Sequence, residues 1–261
     1  MSGAQVEALP VESAPLLACE RLQVGYRGRA LLPAFDLQVS RGSFVVVVGR
    51  NGSGKSTWFK TLLGLLPPVA GAVVKAPGLR CAYVPQTAAI DAILPLRAHE
   101  IVLWGRLTRW GFLRPFATRQ DRAAAEAALA SAGASDFAHR PYRELSEGQK
   151  QRVLLARVLA TEADLVLLDE PTAAMDSVAE RETMERLSEL ARGRRIGVVV
   201  VSHQLRVASQ YADTVLFMDR DAPAVLVGDV RTVFCHDAFI RQYGDDYCVY
   251  ASGHPSGPAA R

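Results

Sequence analysis

Glycines at positions 49, 52 and 54 stand directly before Lys55, Ser56 and Thr57. A glycine has no Cβ, so the backbone N–H groups around it can curl about a ligand that offers many oxygens. Apolar spacing through Trp58, Phe59, Leu62, Leu63 and Leu66 predicts a helix opening at Lys55. Its unpaired N–H groups and positive dipole end would serve the same anion. The spacing Gly49-x-x-x-x-Gly54-Lys55-Ser56 is that of a phosphate-binding loop. Such a loop suits a nucleoside triphosphate: Lys55 reaches the β- and γ-phosphates, and the Ser56 hydroxyl holds Mg2+. Arg50, Asn51, Ser53 and Thr57 complete the predicted contact set.

Two carboxylates close an apolar run at Leu165-Val166-Leu167-Leu168-Asp169-Glu170. At the C-terminal end of a buried strand they would face the ligand crevice of an open α/β sheet. Asp169 is suited to hold Mg2+ through a water, and Glu170 to orient and polarise an attacking water. Leu145-Ser146-Glu147-Gly148-Gln149 precedes another helical pattern. Ser146 and Gln149 have the spacing of a capping box. The sharper alternative is that the free N–H groups and the Ser146 hydroxyl face a second anion. The pentapeptide alone favours the capping box.

These residues need a sheet to line them up. Phe44–Val48, Leu165–Asp169 and Ile196–Val201 are uncharged apolar runs, as expected of parallel strands buried on both faces. Leu17–Val24 and Leu31–Val39 alternate enough to be half-buried antiparallel strands, with Tyr26 in the turn between them. Val73–Val74 and Cys81–Val84 add strands, as do Thr214–Met218 and Ala224–Val227. From about residue 87 to 160 the pattern turns helical, with Ala98–Gly105, an Ala-rich stretch 123–132 capped from Thr118, and a helix after Gln149. Residues 177–191 and 229–243 read as helices. Residues 1–15 read as a flexible tail, 16–243 as one domain, and 244–261 as a poorly ordered tail.

The 261 residues, 49% of them apolar, suffice for a folded core. A net charge of +3 without a basic stripe interleaved with aromatics gives no reason to expect nucleic acid. Cys19, Cys81, Cys235 and Cys248 show no metal or disulfide spacing and read as reduced cytosolic thiols. His236, Asp237 and Cys248 have no ligand spacing either. No apolar run approaches the roughly 20 residues that cross a bilayer, and the N-terminus lacks the basic start and apolar core of a signal peptide. A soluble chain is expected, with any membrane crossing supplied by another protein.

In chain order, Tyr26, the glycine loop, Gln86, the Leu145–Gln149 pentapeptide, Leu167–Glu170, Asp176 and His203 resemble the motif series of the ATP-binding cassette (ABC) family. The likeness runs from about Cys19 to Tyr243, and the pentapeptide is its most specific part. It implies an α/β fold: a P-loop NTPase core with an antiparallel β subdomain and an α-helical insertion. It also implies roles. Tyr26 would stack on adenine, and Gln86 would touch Mg2+ and water while sensing a partner. Asp176 would cross a dimer interface, and His203 would contact the γ-phosphate. Glu170, His203, Gln86 and Lys55 would carry the catalysis, and Ser56, Gln86 and Asp169 would hold Mg2+. Ser146, Gly148 and Gln149 of a second copy would close the ATP site. Glu147 departs from the family's usual glycine and would repel a phosphate unless it points away.

Tyr83-Val84-Pro85-Gln86, Ile90-Asp91, Leu94-Pro95-Leu96, Val102–Arg106, Asp136–Ala138 and Val233-Phe234 resemble the zinc and manganese uptake branch. That likeness implies a homodimeric ATPase on the cytoplasmic face of the inner membrane. It would be held there by permease subunits and served indirectly by an extracytoplasmic solute-binding protein. Trp104, Trp110 and Phe112 would line the permease groove or the core. An iron-chelate or haem importer ATPase, and a non-transport cassette ATPase acting in assembly, are the alternatives. Lys55→Ala should abolish ATP affinity; titration calorimetry giving the parent's affinity would remove the loop's role.

Overall fold

The computed structural model describes residues 14–84, 96–106, 117–172, 175 and 177–253. Gln86, Asp176, Trp110, Phe112, the Ile90-Asp91 and Leu94-Pro95 pairs, most of the N-terminal tail and residues 254–261 lie outside them. The chain opens with β1 (Leu17–Gln23), β2 (Gly25–Tyr26), β3 (Arg29–Ala30), β4 (Phe35–Val39) and β5 (Phe44–Val48), then α1 (Lys55–Leu62), β6 (Ala70–Lys75) and β7 (Cys81–Val84). Three helices follow: α2 (Ala98–Trp104), α3 (Arg119–Ser131) and α4 (Glu147–Ala160). Next come β8 (Leu165–Asp169), α5 (Ser177–Gly193), β9 (Gly197–Val201), α6 (Leu205–Ser209), β10 (Thr214–Asp219) and β11 (Ala224–Gly228). The described chain ends in α7 (Val230–Phe234), α8 (Asp237–Tyr243) and α9 (Asp246–Gly253).

The central sheet runs β11-β10-β5-β9-β8-β7. Its pairs are parallel except β10 with β11. A second, antiparallel sheet runs β4-β1-β6. The two-residue side-chain period of the central strands separates two cores. Phe44, Val46, Val48, Val166, Leu168, Val198, Val200, Val215 and Phe217 face a core shared with α2 to α5, α7 and α8. Val45, Val47, Leu165, Leu167, Val199, Val201, Leu216 and Met218 face the other core. There they meet Trp58, Phe59 and Leu62 of α1 and the inner face of the antiparallel sheet. Both faces being covered explains why these runs carry no polar alternation.

The helical insertion is a packed unit, with α4 lying against α2 and α3. The α3 cap matches its sequence signal. Thr118 Oγ1 accepts from Asp121 N at 3.1 Å, while the Asp121 carboxylate accepts from Thr118 N at 3.0 Å.

The C-terminal region departs from the expectation in three ways. Residues 229–243 form two helices, not one. The break falls at Cys235–His236, where the His236 ring accepts from Ala238 N at 3.1 Å and caps α8. Beyond Gly244, where a loose tail was expected, α9 forms. A helix of 8 residues has little stability alone. This one packs on an aromatic cluster in which Phe239 contacts Phe217, Phe234, Tyr243 and Tyr247. Finally, Cys235 and Cys248 form a disulfide rather than free thiols. Packing of α7 against α9 brings their α-carbons to 4.6 Å, a proximity that a sequence separation of 13 conceals. Cys19 and Cys81 are free, and burial pushes both thiols up to about 11.

Cys248→Ser should therefore destabilise the fold by about 3 kcal/mol, the loop-closure scale of such a crosslink. Urea denaturation without reductant reads this. Thiol titration of the unfolded, unreduced parent should find Cys19 and Cys81 alone; reactive Cys235 and Cys248 there would contradict the crosslink.

Candidate functional site

Three neighbouring parallel strands end at one edge and deliver the chemistry there. β5 runs into Gly49 and the glycine loop, β8 into Asp169 and Glu170, and β9, lying between them, into Ser202 and His203. A cavity of about 480 Å³ opens at this edge, lined by Tyr26, Asn51, Gly52, Gly54 to Thr57, Asp169 and Glu170. Leu31 and Arg220 line it too. The sequence motifs pointed to neither.

The loop geometry requires glycine at two points. A Cβ at Gly49 would overlap the Met218 carbonyl oxygen of β10. Gly54, the residue before α1, has φ 106°, in the left-handed region that side chains disfavour. Lys55 is only 6% exposed. Its ammonium donates to the Gly49 and Arg50 carbonyls at 2.6 and 2.9 Å. Burial lowers its pKa, an effect partly offset by Glu170 and Asp169. Ser53 Oγ is buried without a hydrogen-bond partner among the described residues.

Ser56 Oγ lies 3.4 Å from Asp169 Oδ2, which also accepts from the Tyr83 hydroxyl at 3.4 Å. Burial, then repulsion by Glu170, raises the Asp169 pKa. Burial likewise raises Tyr83 to about 12, with the Asp169 charge adding to it. A hydroxyl and a carboxylate oxygen so placed are hard donors of the kind Mg2+ takes alongside waters and phosphate oxygens. The donor set fits that ion.

Glu170 has φ 52°, a conformation costing a non-glycine residue roughly 1–3 kcal/mol. Its N–H donates to Val201 O at 3.2 Å, so the end of β9 holds the turn. Its carboxylate meets His203 Nε2 at 2.6 Å. The family resemblance implies a γ-phosphate contact for His203; in the structure its ring sits on Glu170. Tyr26 is 46% exposed beside the cavity, and its hydroxyl accepts from Thr57 Oγ1 at 3.1 Å.

Ser146, Gly148 and Gln149 are not among the residues lining this cavity. They form the tip of α4 and adopt the capping box: Ser146 Oγ accepts from Gln149 N at 3.3 Å, and Gln149 Oε1 accepts from Ser146 N at 3.1 Å. The Glu147 carboxylate turns to Lys150 Nζ at 3.0 Å. A Cβ at Gly148 would meet nothing within 4 Å among the described residues. None of them requires that glycine, although glycine costs a helix about 1 kcal/mol relative to alanine.

The sequence profile of the ABC transporter family matches residues 32–173. The chain belongs to the ABC transporter family. It is 40% identical over 205 residues to the zinc import ATP-binding protein ZnuC of Ruegeria pomeroyi, covering 78% of this chain and 75% of that protein. Over 247 residues it is 37% identical to the manganese transport system ATP-binding protein MntB of Bacillus subtilis, covering 90% of this chain and 97% of that one. Among solved structures, an ABC transporter in an inward-facing conformation superposes with a TM-score of 0.77 at 27% identity, over 87% of this cassette and 88% of that chain. A dimeric ATP-binding cassette bound to ADP and Pi, in a post-hydrolysis state, superposes with a TM-score of 0.65, also at 27% identity, over 78% and 94%. No described helix is long and apolar enough to cross a membrane.

The raised Asp169 pKa makes the site a stability liability. The folded state holds this proton more tightly than the unfolded chain does. Stability therefore falls as pH rises from the unfolded carboxylate range through the raised value, and stays lowered at neutral pH. Asp169→Asn should raise the melting temperature of the nucleotide-free cassette at pH 7 and flatten its pH dependence at acidic pH. A lower melting temperature at pH 7 would contradict the burial argument.

Proposed function

We propose that this chain is the ATP-hydrolysing subunit of an importer that takes up zinc or manganese through a separate membrane permease. The observation that carries the ATPase reading is the junction of Lys55, Ser56, Asp169 and Glu170 beyond the ends of β5 and β8, around one cavity. The metal-ion reading is supported by relatives of 40% and 37% identity over most of the chain, named for zinc import and manganese transport.

In this reading the glycine loop and the α1 N-terminus bind the triphosphate, and Lys55 leaves the Gly49 and Arg50 carbonyls for its oxygens. Ser56 and Asp169 would hold Mg2+, which when bound neutralises phosphate charge. Glu170, aimed by its left-handed backbone, orients a water in line with the terminal phosphate and accepts its proton. His203 must release Glu170 to reach that phosphate. Gln86 and Asp176, outside the described residues, keep their family roles as part of the proposal.

A second copy completes the site. Gly148 is required by none of the described residues and suits close approach by another backbone or a phosphate. The Lys150 ion pair draws Glu147 aside, which answers the repulsion expected of a carboxylate at this tip. Closure around the nucleotide supplies catalysis by positioning and charge stabilisation. The permease then holds the dimer at the cytoplasmic face of the membrane, with a solute-binding protein acting beyond it.

Glu170→Gln should lower ATP turnover by at least ~100-fold, the scale of a lost general base. It should also shift the protein to a dimer on size-exclusion chromatography in ATP. Parent-like turnover would remove Glu170 from its role. Cells lacking the chain should lose uptake of radioactive zinc or manganese and regain it on complementation. Unchanged uptake of both metals would overturn the substrate.

A further inference from the structure

The nucleotide cavity has a second cation besides Lys55. Arg220 follows β10, the strand beside β5 on the side away from Asp169, and lines the cavity together with the glycine loop. The end of β10 is close to that loop, since the Met218 carbonyl fills the space a Cβ on Gly49 would need. The turn that carries Arg220 is held in place. The Asp219 carboxylate accepts from Asp221 N at 2.9 Å and from Ala222 N at 3.3 Å. Those bonds engage the adjacent carboxylate with backbone rather than with the guanidinium. Arg220 is exposed, and among the described residues no carboxylate pairs with it. Lys55, for its part, is held by two carbonyls. A guanidinium at the cavity with no acidic partner among the described residues can take phosphate oxygens, because its planar fork matches them.

We propose that Arg220 is a further nucleotide-binding residue, donating to the polyphosphate chain from the β10 side of the cavity. The proposal rests on the nucleotide reading of the site. It adds to that reading a cation that none of the sequence motifs contains.

The test is displacement of a fluorescent ATP analogue from the purified full chain by ATP, ADP, inorganic tripolyphosphate and adenosine. Arg220→Ala should weaken ATP, ADP and tripolyphosphate about 3- to 10-fold, the range for one partly exposed charged contact. Adenosine should compete as it does with the parent. Arg220→Lys should restore part of the loss, and the salt dependence of ATP binding should become shallower in Arg220→Ala. Unchanged phosphate affinities would overturn the proposal. An equal loss for adenosine would also overturn it, placing Arg220 on the base or the ribose. Arg220→Gln, nearer in volume, serves if the alanine variant misfolds. If the parent itself binds no ATP, the nucleotide reading fails, a result distinct from any difference between parent and variant.

Discussion

The Lys55 ammonium is almost out of water, and two carbonyls of its own loop stand in for the lost hydration. Across the cavity Asp169 is buried as well, and Glu170 crowds it with like charge. Each of these groups is ionised at some cost to the fold, since desolvation moves the lysine pKa down and the aspartate pKa up. Two apolar cores must outweigh that cost. The fully buried strands β5, β8 and β9 bring in branched side chains on both faces, each worth about 1.5–3 kcal/mol when removed from water. The strands are therefore more than a frame for the loops. Their burial is what allows charged groups to be held, poorly solvated, where a more highly charged ligand can replace water.

How legible this was in the sequence follows from the range of each interaction. The glycine loop, α1 and the Asp169–Glu170 pair are contiguous, so spacing alone exposed them. The apolar runs of β5, β8 and β9 could be read because both their faces are covered. The capping boxes at Thr118 and Ser146 are local and formed as their spacing indicated. Contacts made by folding were hidden. His203 and Glu170 are 33 residues apart, and only the β8–β9 pairing brings their strand ends together. The Tyr83 hydroxyl reaches Asp169 because β7 pairs with β8. Arg220 belongs to no motif. It is one basic residue after an apolar strand, and only the order of strands in the sheet places it at the cavity.

The C-terminal helices misled for a different reason. Residues 229–243 carry enough apolar residues to look continuous, and the stop at Cys235 comes from a histidine acting as a cap, an uncommon use of that side chain. α9 looks like tail because its own sequence has no amphipathic stripe. Its stability comes from rings on α7 and α8 and from a crosslink, none of them visible locally.

β5 is a party wall between the two cores: Phe44, Val46 and Val48 belong to one room, Val45 and Val47 to the other. Close-packed interiors do not compress. A pull on Gly49 is thus felt at once by α1 and the antiparallel sheet on one side and by the helical layer on the other. Neither layer can relax alone. The cassette should behave as a stiff crank, turning the arrival or loss of one phosphate group into displacement of whole layers.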